Sequence, residues 1–175
     1  LLLLSEATGN PVYKDTVLGA LRWIGENAYI DGEGLFRDLY DPFEKSFVPD
    51  AYGSPGRPLL DDAMFLKGYQ LTGDERFLTI AMETADRLLA DEHPRGNWVN
   101  YAPCHKDVGA IHPRHAYWWG LPFLSVYKHT DDARHLQAFR RSVEWYRKAM
   151  RADGGIIRNT YLDFNTDSFG HAASG

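Results

Sequence analysis

The feature that most constrains this chain is a phrase it carries twice. GYQLTGDERFL, Gly68 to Leu78, is followed by SVYKHTDDARHL, Ser125 to Leu136. Tyr69 matches Tyr127, Thr72 matches Thr130, Asp74 matches Asp132, Arg76 matches Arg134 and Leu78 matches Leu136, every pair at an offset of 58 residues. One fixed offset over five matches marks an internal repeat, and repeats of this period are stacked supersecondary units. A second set of matches lies outside the first. Trp23 is followed eight residues on by Asp31-Gly32, as Trp145 is by Asp153-Gly154. GLFRDLY, Gly34 to Tyr40, matches GIIRNTY, Gly155 to Tyr161, at an offset of 121, roughly twice the first one.

The segments between these marks are of two helical kinds. Leu136, Phe139, Val143, Tyr146 and Met150 recur at three- and four-residue steps within Asp132–Arg151, with charged residues opposite. That pattern predicts an amphipathic helix with one wet face. Glu75–Asp91 and Val12–Ala28 read the same way. Leu59–Leu71 and His115–Lys128 are apolar on most sides, which predicts buried helices; Pro122 should kink the second or mark its true first turn. Short apolar-to-amphipathic turns imply antiparallel hairpins, with Thr72 or Asp74, and Thr130 or Asp131, as helix caps. The two apolar helices are expected side by side and more buried than the amphipathic ones. The joins in the other direction are long: Asp31–Pro58, His93–Arg114 and Asp153–His171. The middle one keeps only GNWVNY as an echo of the repeat.

The chain's 175 residues suffice for one domain with a real core. A net charge of −5 gives no basic field for nucleic acid or acidic membranes. Cys104 is the single cysteine, so no intrachain disulfide can form. LLLL at the start is too short for a signal h-region or a membrane span; it reads as the remnant of either or as the end of a helix. No long apolar run follows, so a soluble chain of unassigned compartment is expected. Aromatic residues make up 14% of the chain, many of them in Gly- and Pro-containing stretches. There they either pack loops onto the body or offer flat platforms to a ligand.

This arrangement of apolar inner helices, amphipathic outer helices and TGDER/TDDAR turns resembles the six-hairpin, or (α/α)6 toroid, superfamily of carbohydrate-active enzymes. The resemblance covers most of the chain from about residue 12. It implies an all-α fold of antiparallel hairpins, about three of them present, with short extended segments in the long loops, as a single toroid-like domain over 1–175. Six hairpins would need about twice this length. The expectation is therefore either part of a longer protein or a half-toroid that self-associates to cover its inner-helix surface. The superfamily contains glycoside hydrolases, uronyl hydrolases, epimerases and lyases, and fold does not choose among them.

By the same resemblance the long loops and the inner-helix N-termini share the end that holds the substrate cleft. Asp61 and Asp62 open the first apolar helix; N-terminal helix chemistry accounts for carboxylates there, and so does a catalytic role. A glycosidase needs two carboxyl groups about 5–9 Å apart. The pair is read as Asp62 with Asp167, with Asp61 and Asp163 as near alternatives and Asp38 or Asp41 as other partners. In PRHAYWWG, Arg114 suits a sugar carboxylate, His115 suits acid–base work, and Trp118 suits stacking; equally, a capped helix could hold all three as structural groups. Tyr161 and His171 complete the third loop's set, and Trp98 is a further platform in the middle loop. His93, Cys104, His105, His112 and His115 share a loop but lack metal-ligand spacing, so neither metal nor cofactor is expected. The leading reading is a glycoside hydrolase on an oligo- or polysaccharide, uronate-containing ones among the candidates. A lyase or epimerase using His and Tyr and a non-catalytic helical-repeat binding protein remain the alternatives.

Overall fold

Each outer helix begins with the same device. In the computed structural model, which describes residues 1–49, 56–101, 110–157, 160–161 and 171–172, three amphipathic helices are capped alike. Asn10 accepts from the Val12 N–H at the start of α2 (Pro11–Asn27), Asp74 from Arg76 at α4 (Glu75–Ala90), and Asp132 from Arg134 at α7 (Ala133–Lys148). Each cap satisfies an amide that the first helical turn leaves without a partner. Two residues before each cap stands a threonine. Thr8, Thr72 and Thr130 donate to the carbonyls of Leu4, Gly68 and Val126, at 2.7, 2.7 and 3.0 Å. Their hydroxyls also accept from the N–H of the cap residue, at 3.3, 3.2 and 3.2 Å. Between threonine and cap, Gly9, Gly73 and Asp131 turn the chain at φ 67, 71 and 56°.

The repeat is therefore threefold where the sequence pattern shows it twice. Helix α1 (Leu2–Thr8) occupies the place of the last turns of α3 (Met64–Thr72) and α6 (Phe123–Thr130). Helix α3 forms a hairpin with α4, and α6 with α7; α2 packs on α3, and α4 on α6. The long loops carry short antiparallel ladders. β1 (Tyr29–Ile30) pairs with β2 (Leu35–Phe36), and β3 (Leu39–Asp41) with β4 (Ser46–Val48). β5 (Ala110–Ile111) pairs with β7 (Thr160–Tyr161), and β6 (Ile156–Ile157) with β8 (His171–Ala172). The fold is all-α, built of antiparallel hairpins in the manner of part of an (α/α) toroid.

Both apolar helices depart from the expected uniform rods. Leu59 and Leu60 lie outside the helix, Asp61–Ala63 form a 3-10 turn, and α3 runs from Met64. The second begins as the short α5 (Pro113–His115), continues as a π-turn at Ala116–Gly120, and resumes as α6, whose N-cap is Pro122. Pro122 thus marks a first turn, where its missing N–H costs nothing.

The expected burial contrast holds for one pair and fails for the other. Ala116, Trp119, Gly120, Phe123 and Val126 are buried along the second apolar helix, whereas in α7 burial is confined to one face at His135, Ala138, Ser142 and Trp145. Helix α4, however, buries Phe77, Ile80, Ala81, Thr84, Ala85 and Leu88, while α3 buries Phe65, Leu66 and Gly68 and leaves Leu71 41% exposed. The reason is position. Helix α4 lies between α3 and α6, takes Gly34 of the first loop against Glu83 and Arg87, and receives the Trp98 indole of the second loop on the Leu88 carbonyl. The last turn of α3 receives no loop among the described residues, its Tyr69 ring meeting His129 of α6 edge-on at 5.7 Å. None of the described helices is long and apolar enough to cross a membrane.

Candidate functional site

The two inner-helix starts meet, the Asp61–Ala63 turn lying against the π-turn and α6. Where they meet is a cavity of about 360 Å³ lined by Asp61, Asp62, Tyr117, Trp118, Pro122 and Ser125, among others. A larger open trough of about 590 Å³ runs between α4 and α7 on the outer side. Its arginines are already committed, Arg134 to Asp132 and Arg141 to Glu92, so the smaller cavity is the better candidate for chemistry.

Asp61 and Asp62 are adjacent but meet opposite environments. Asp61 is half-buried, and that burial pushes its carboxyl above the ordinary value of 3.8. Its own backbone N–H, the Arg57 charge and the Trp119 indole N–H pull the other way without cancelling the shift. Asp62 points outward, its side chain 80% exposed, and pairs with Lys67 Nζ at 2.7 Å. The backbone makes this divergence possible. Asp62 and Ala63 both lie in the left-handed region, at φ 52 and 50°. A non-glycine residue there costs roughly 1–2 kcal/mol, and such outliers gather at functional sites.

On the facing helix, Pro113 at the first helical position and His112 as cap set the entry. The Arg114 guanidinium lies 5.3 Å from the Trp118 ring centroid, a cation–π distance. It therefore covers one face of the indole. Arg114 Nε is also 3.1 Å from His112 Nε2, while His112 Nδ1 is 3.2 Å from the Arg114 backbone N. A neutral imidazole accepts at only one nitrogen, so the ring serves either the helix amide or the guanidinium at one time. Trp118, half-buried, keeps an edge on the cavity.

Two sequence candidates are enclosed. Trp98 is fully buried; its indole N–H donates to the Leu88 carbonyl at 2.8 Å, and its ring packs on Phe123 and Trp119. It is a core residue with no face left for a sugar, and this corrects its reading as a platform. His115 is likewise fully buried, with Nδ1 2.8 Å from the Trp98 carbonyl and its ring stacked on Trp119 at 4.1 Å. Instead of meeting a substrate it braces the tryptophan whose N–H reaches Asp61. The helical period explains this: adjacent Trp118 and Trp119 must face different ways, and His115 lies one turn below Trp119.

The backbone of Tyr161, in β7, is held beside Ala110, three residues before Pro113; that of His171 is in β8. Asp163 and Asp167 lie outside the described residues, as do Cys104 and His105. Among the described residues no three His, Cys, Asp or Glu side chains gather as metal ligands. Arg57, Lys67 and Tyr117 are site residues that the sequence reading does not single out. Arg57 is held by the Phe36 backbone on both sides, at 2.8 and 2.9 Å, and by Asp38 at 3.0 Å, partners distant enough in sequence to leave no local signal.

No protein-family model matches the sequence, and no curated protein matches it. Solved structures do. A sugar epimerase from a ruminal bacterium superposes with a TM-score of 0.71 at 16% identity, over 96% of this chain and 44% of that one. A GH76 α-mannanase from Bacteroides thetaiotaomicron superposes with a TM-score of 0.61 at 17% identity, over 97% of this chain and 43% of that one. At such identities the likeness is one of fold. The chain spans less than half the length of these two proteins.

Proposed function

We propose that this chain belongs to a carbohydrate-active enzyme, a glycoside hydrolase whose reacting groups are the carboxyls of Asp61 and Asp62. The observation that carries this reading is the opposed environments of two carboxyls on one cavity. A carboxyl whose enclosure disfavours ionisation, beside one left in a polar and solvated place, is the arrangement of an acid and its partner. Asp61, whose partial burial disfavours its ionised form, donates to the glycosidic oxygen as the bond to the leaving sugar breaks. Asp62, its charge balanced by Lys67, acts on the opposite side of the sugar, by attack on the anomeric carbon or by activating water. Trp118 and Tyr117 provide apolar walls for the ring, and Arg114 a guanidinium for a carboxylate or hydroxyl of the substrate. Asp167 remains the other partner proposed from sequence, and the same assay tests it.

The two fold neighbours, a mannanase and an epimerase, support sugars as the substrate class and leave two reactions open. The epimerase reading draws its support from the epimerase among the fold neighbours, since the His112 imidazole is buried as a helix cap and does not line the cavity. Product analysis separates them. The chain is incubated with α-mannooligosaccharides and with free disaccharides, and products are followed by NMR. New reducing ends that disappear in Asp61→Asn support the hydrolase. An epimer formed with no bond cleaved, and retained in Asp61→Asn, replaces it with the epimerase. Full hydrolytic activity in both Asp61→Asn and Asp62→Asn rejects the carboxylate pair.

A further inference from the structure

The half-buried arginines of the described residues are Arg57, Arg87, Arg114, Arg141 and Arg151. All but one face a carboxylate. Arg57 pairs with Asp38, Arg87 with Asp91, Arg141 with Glu92 and Arg151 with Asp153. Enclosing a guanidinium costs free energy that a paired carboxylate offsets, and these four follow that rule. Arg114 does not. Among the described residues it meets the His112 imidazole at 3.1 Å and the Trp118 ring at 5.3 Å, and no carboxylate.

Neither contact supplies a negative charge. His112 Nδ1 accepts from the Arg114 backbone N–H at 3.2 Å, and an imidazole that accepts there is neutral. The indole face attracts a cation but carries no net charge. The acids of the adjoining cavity are engaged elsewhere, Asp62 with Lys67 at 2.7 Å and Asp61 under the Arg57 charge and the Trp119 N–H. The guanidinium is therefore held in place between two rings with its charge unmatched, in a chain that carries more acids than bases. The His112 contact uses Nε and leaves the two terminal nitrogens, which can grip a carboxylate through two parallel hydrogen bonds. The position of the guanidinium is the second observation. Trp118, which it covers on one face, keeps an edge on the cavity that holds Asp61 and Asp62.

We infer that the sugar taken by this cavity is a uronic acid, its carboxylate held by Arg114 beside Trp118. Arg114 is thereby the residue that sets specificity. This rests on the reading of the cavity as a sugar site and narrows its substrate from sugars at large to acidic glycans. A hydroxyl would find a hydrogen bond at the guanidinium, but only an anion matches its charge. The two acids in the same cavity oppose a dianion such as a phosphate, so the single charge of a carboxylate suits the site. The mannanase among the fold neighbours does not conflict with an acidic substrate, since at 17% identity that likeness is one of fold.

The test is calorimetric titration of the full chain with the trisaccharides of glucuronate, galacturonate and mannuronate, each against the same trisaccharide with its carboxyls as methyl esters. At least one acid is expected to bind roughly 10–100-fold more tightly than its ester, the range for a hydrogen bond to a charged group. That advantage should fall as salt is raised. Arg114→Gln should abolish it, bind the ester as wild type does and keep the wild-type melting temperature. Arg114→Lys, which keeps the charge but not the planar fork, should restore part of it. Acid and ester bound alike by the wild type, or neither bound, overturns the inference, as does an advantage that survives Arg114→Gln. An advantage seen only in Asp163→Asn overturns it too, since an acid of this chain would then already occupy the guanidinium. The hydrolase reading stands or falls separately. Acid-selective binding with no bond cleaved keeps the inference and rejects the hydrolase; cleavage with equal affinity for acid and ester does the reverse.

Discussion

The two inner helices of this protein start in opposite ways. The second opens conventionally, with an imidazole cap and a proline at the first helical position, and its irregularity comes later, as the π-turn that carries Trp118 and Trp119. The first has no side-chain cap at all. It enters through two left-handed residues, Asp62 and Ala63, neither of which is glycine. One start is cheap and the other strained, and the strained one holds the carboxyls. A regular cap at Asp61 would place both aspartates in one first turn, with both facing the helix dipole and both stabilised as anions. The left-handed turn separates them, so one is buried and the other meets Lys67.

The largest effect should come from removing the buried member of that pair. Asp61→Asn should lower turnover by about 10²–10⁴-fold, the usual contribution of a positioned proton donor, with an unchanged melting temperature. A similar loss of melting temperature and activity together would make Asp61 a structural residue. Next in size is the neighbouring helix start. Trp119→Ala should cost about 3–5 kcal/mol of stability, since it empties a fully enclosed site, and chemical denaturation reads this directly. Trp118→Ala should instead weaken sugar binding by roughly 0.5–1.5 kcal/mol with a much smaller stability loss. Calorimetric titration against denaturation separates the two tryptophans, and equal losses for both would erase the distinction drawn between them.

How much of this was legible beforehand follows from the range of each interaction. The outer helices are legible, because capping and amphipathic period are local: of the caps the sequence suggests, Asp74 is one, whereas the last outer helix is capped by Asp132, one residue beyond the suggested Asp131, which instead makes the left-handed turn. The third copy of the turn is not, since Thr8-Gly9-Asn10 has asparagine where both later copies have an aspartate cap, only the threonine is common to all three, and α1 buries none of its residues. The strained entry at Asp62 was invisible because nothing in LLDDAMF demands positive φ; Asp tolerates it and Ala does not favour it. Trp98 and Trp118 look alike in sequence. Only the packing of the second loop on Leu88 sends one to the core and leaves the other at the cavity.

A smaller effect sharpens the comparison of repeats instead of inner helices. His135 of α7 stands where α4 has Phe77, at the 58-residue offset. Both are buried, and the imidazole stacks on Phe123 at 5.8 Å and touches the Thr130 hydroxyl at 3.0 Å. Burial lowers its pKa below 6.5, against the opposing pull of Asp132 and Asp86. The unfolded chain therefore binds a proton that the folded chain refuses. This contribution is constant above 6.5 and makes stability fall as pH drops from 6.5 towards the folded value. His135→Phe, the residue of the other copy, should flatten that limb of the stability–pH curve. An unaltered slope would show that other groups carry it.

The central claim is that burial raises the Asp61 carboxyl above its ordinary value, while the neighbouring Asp62 lies exposed against Lys67. A carbon-detected NMR titration of the aspartate carboxyls, with Asp61 assigned through the Asp61→Asn spectrum, measures it without any substrate. The account predicts a midpoint for Asp61 above 3.8, shifting further upward in Trp119→Phe, which removes an N–H that favours the anion. A midpoint at or below 3.8 in the wild type would contradict the account and leave the cavity without its proton donor.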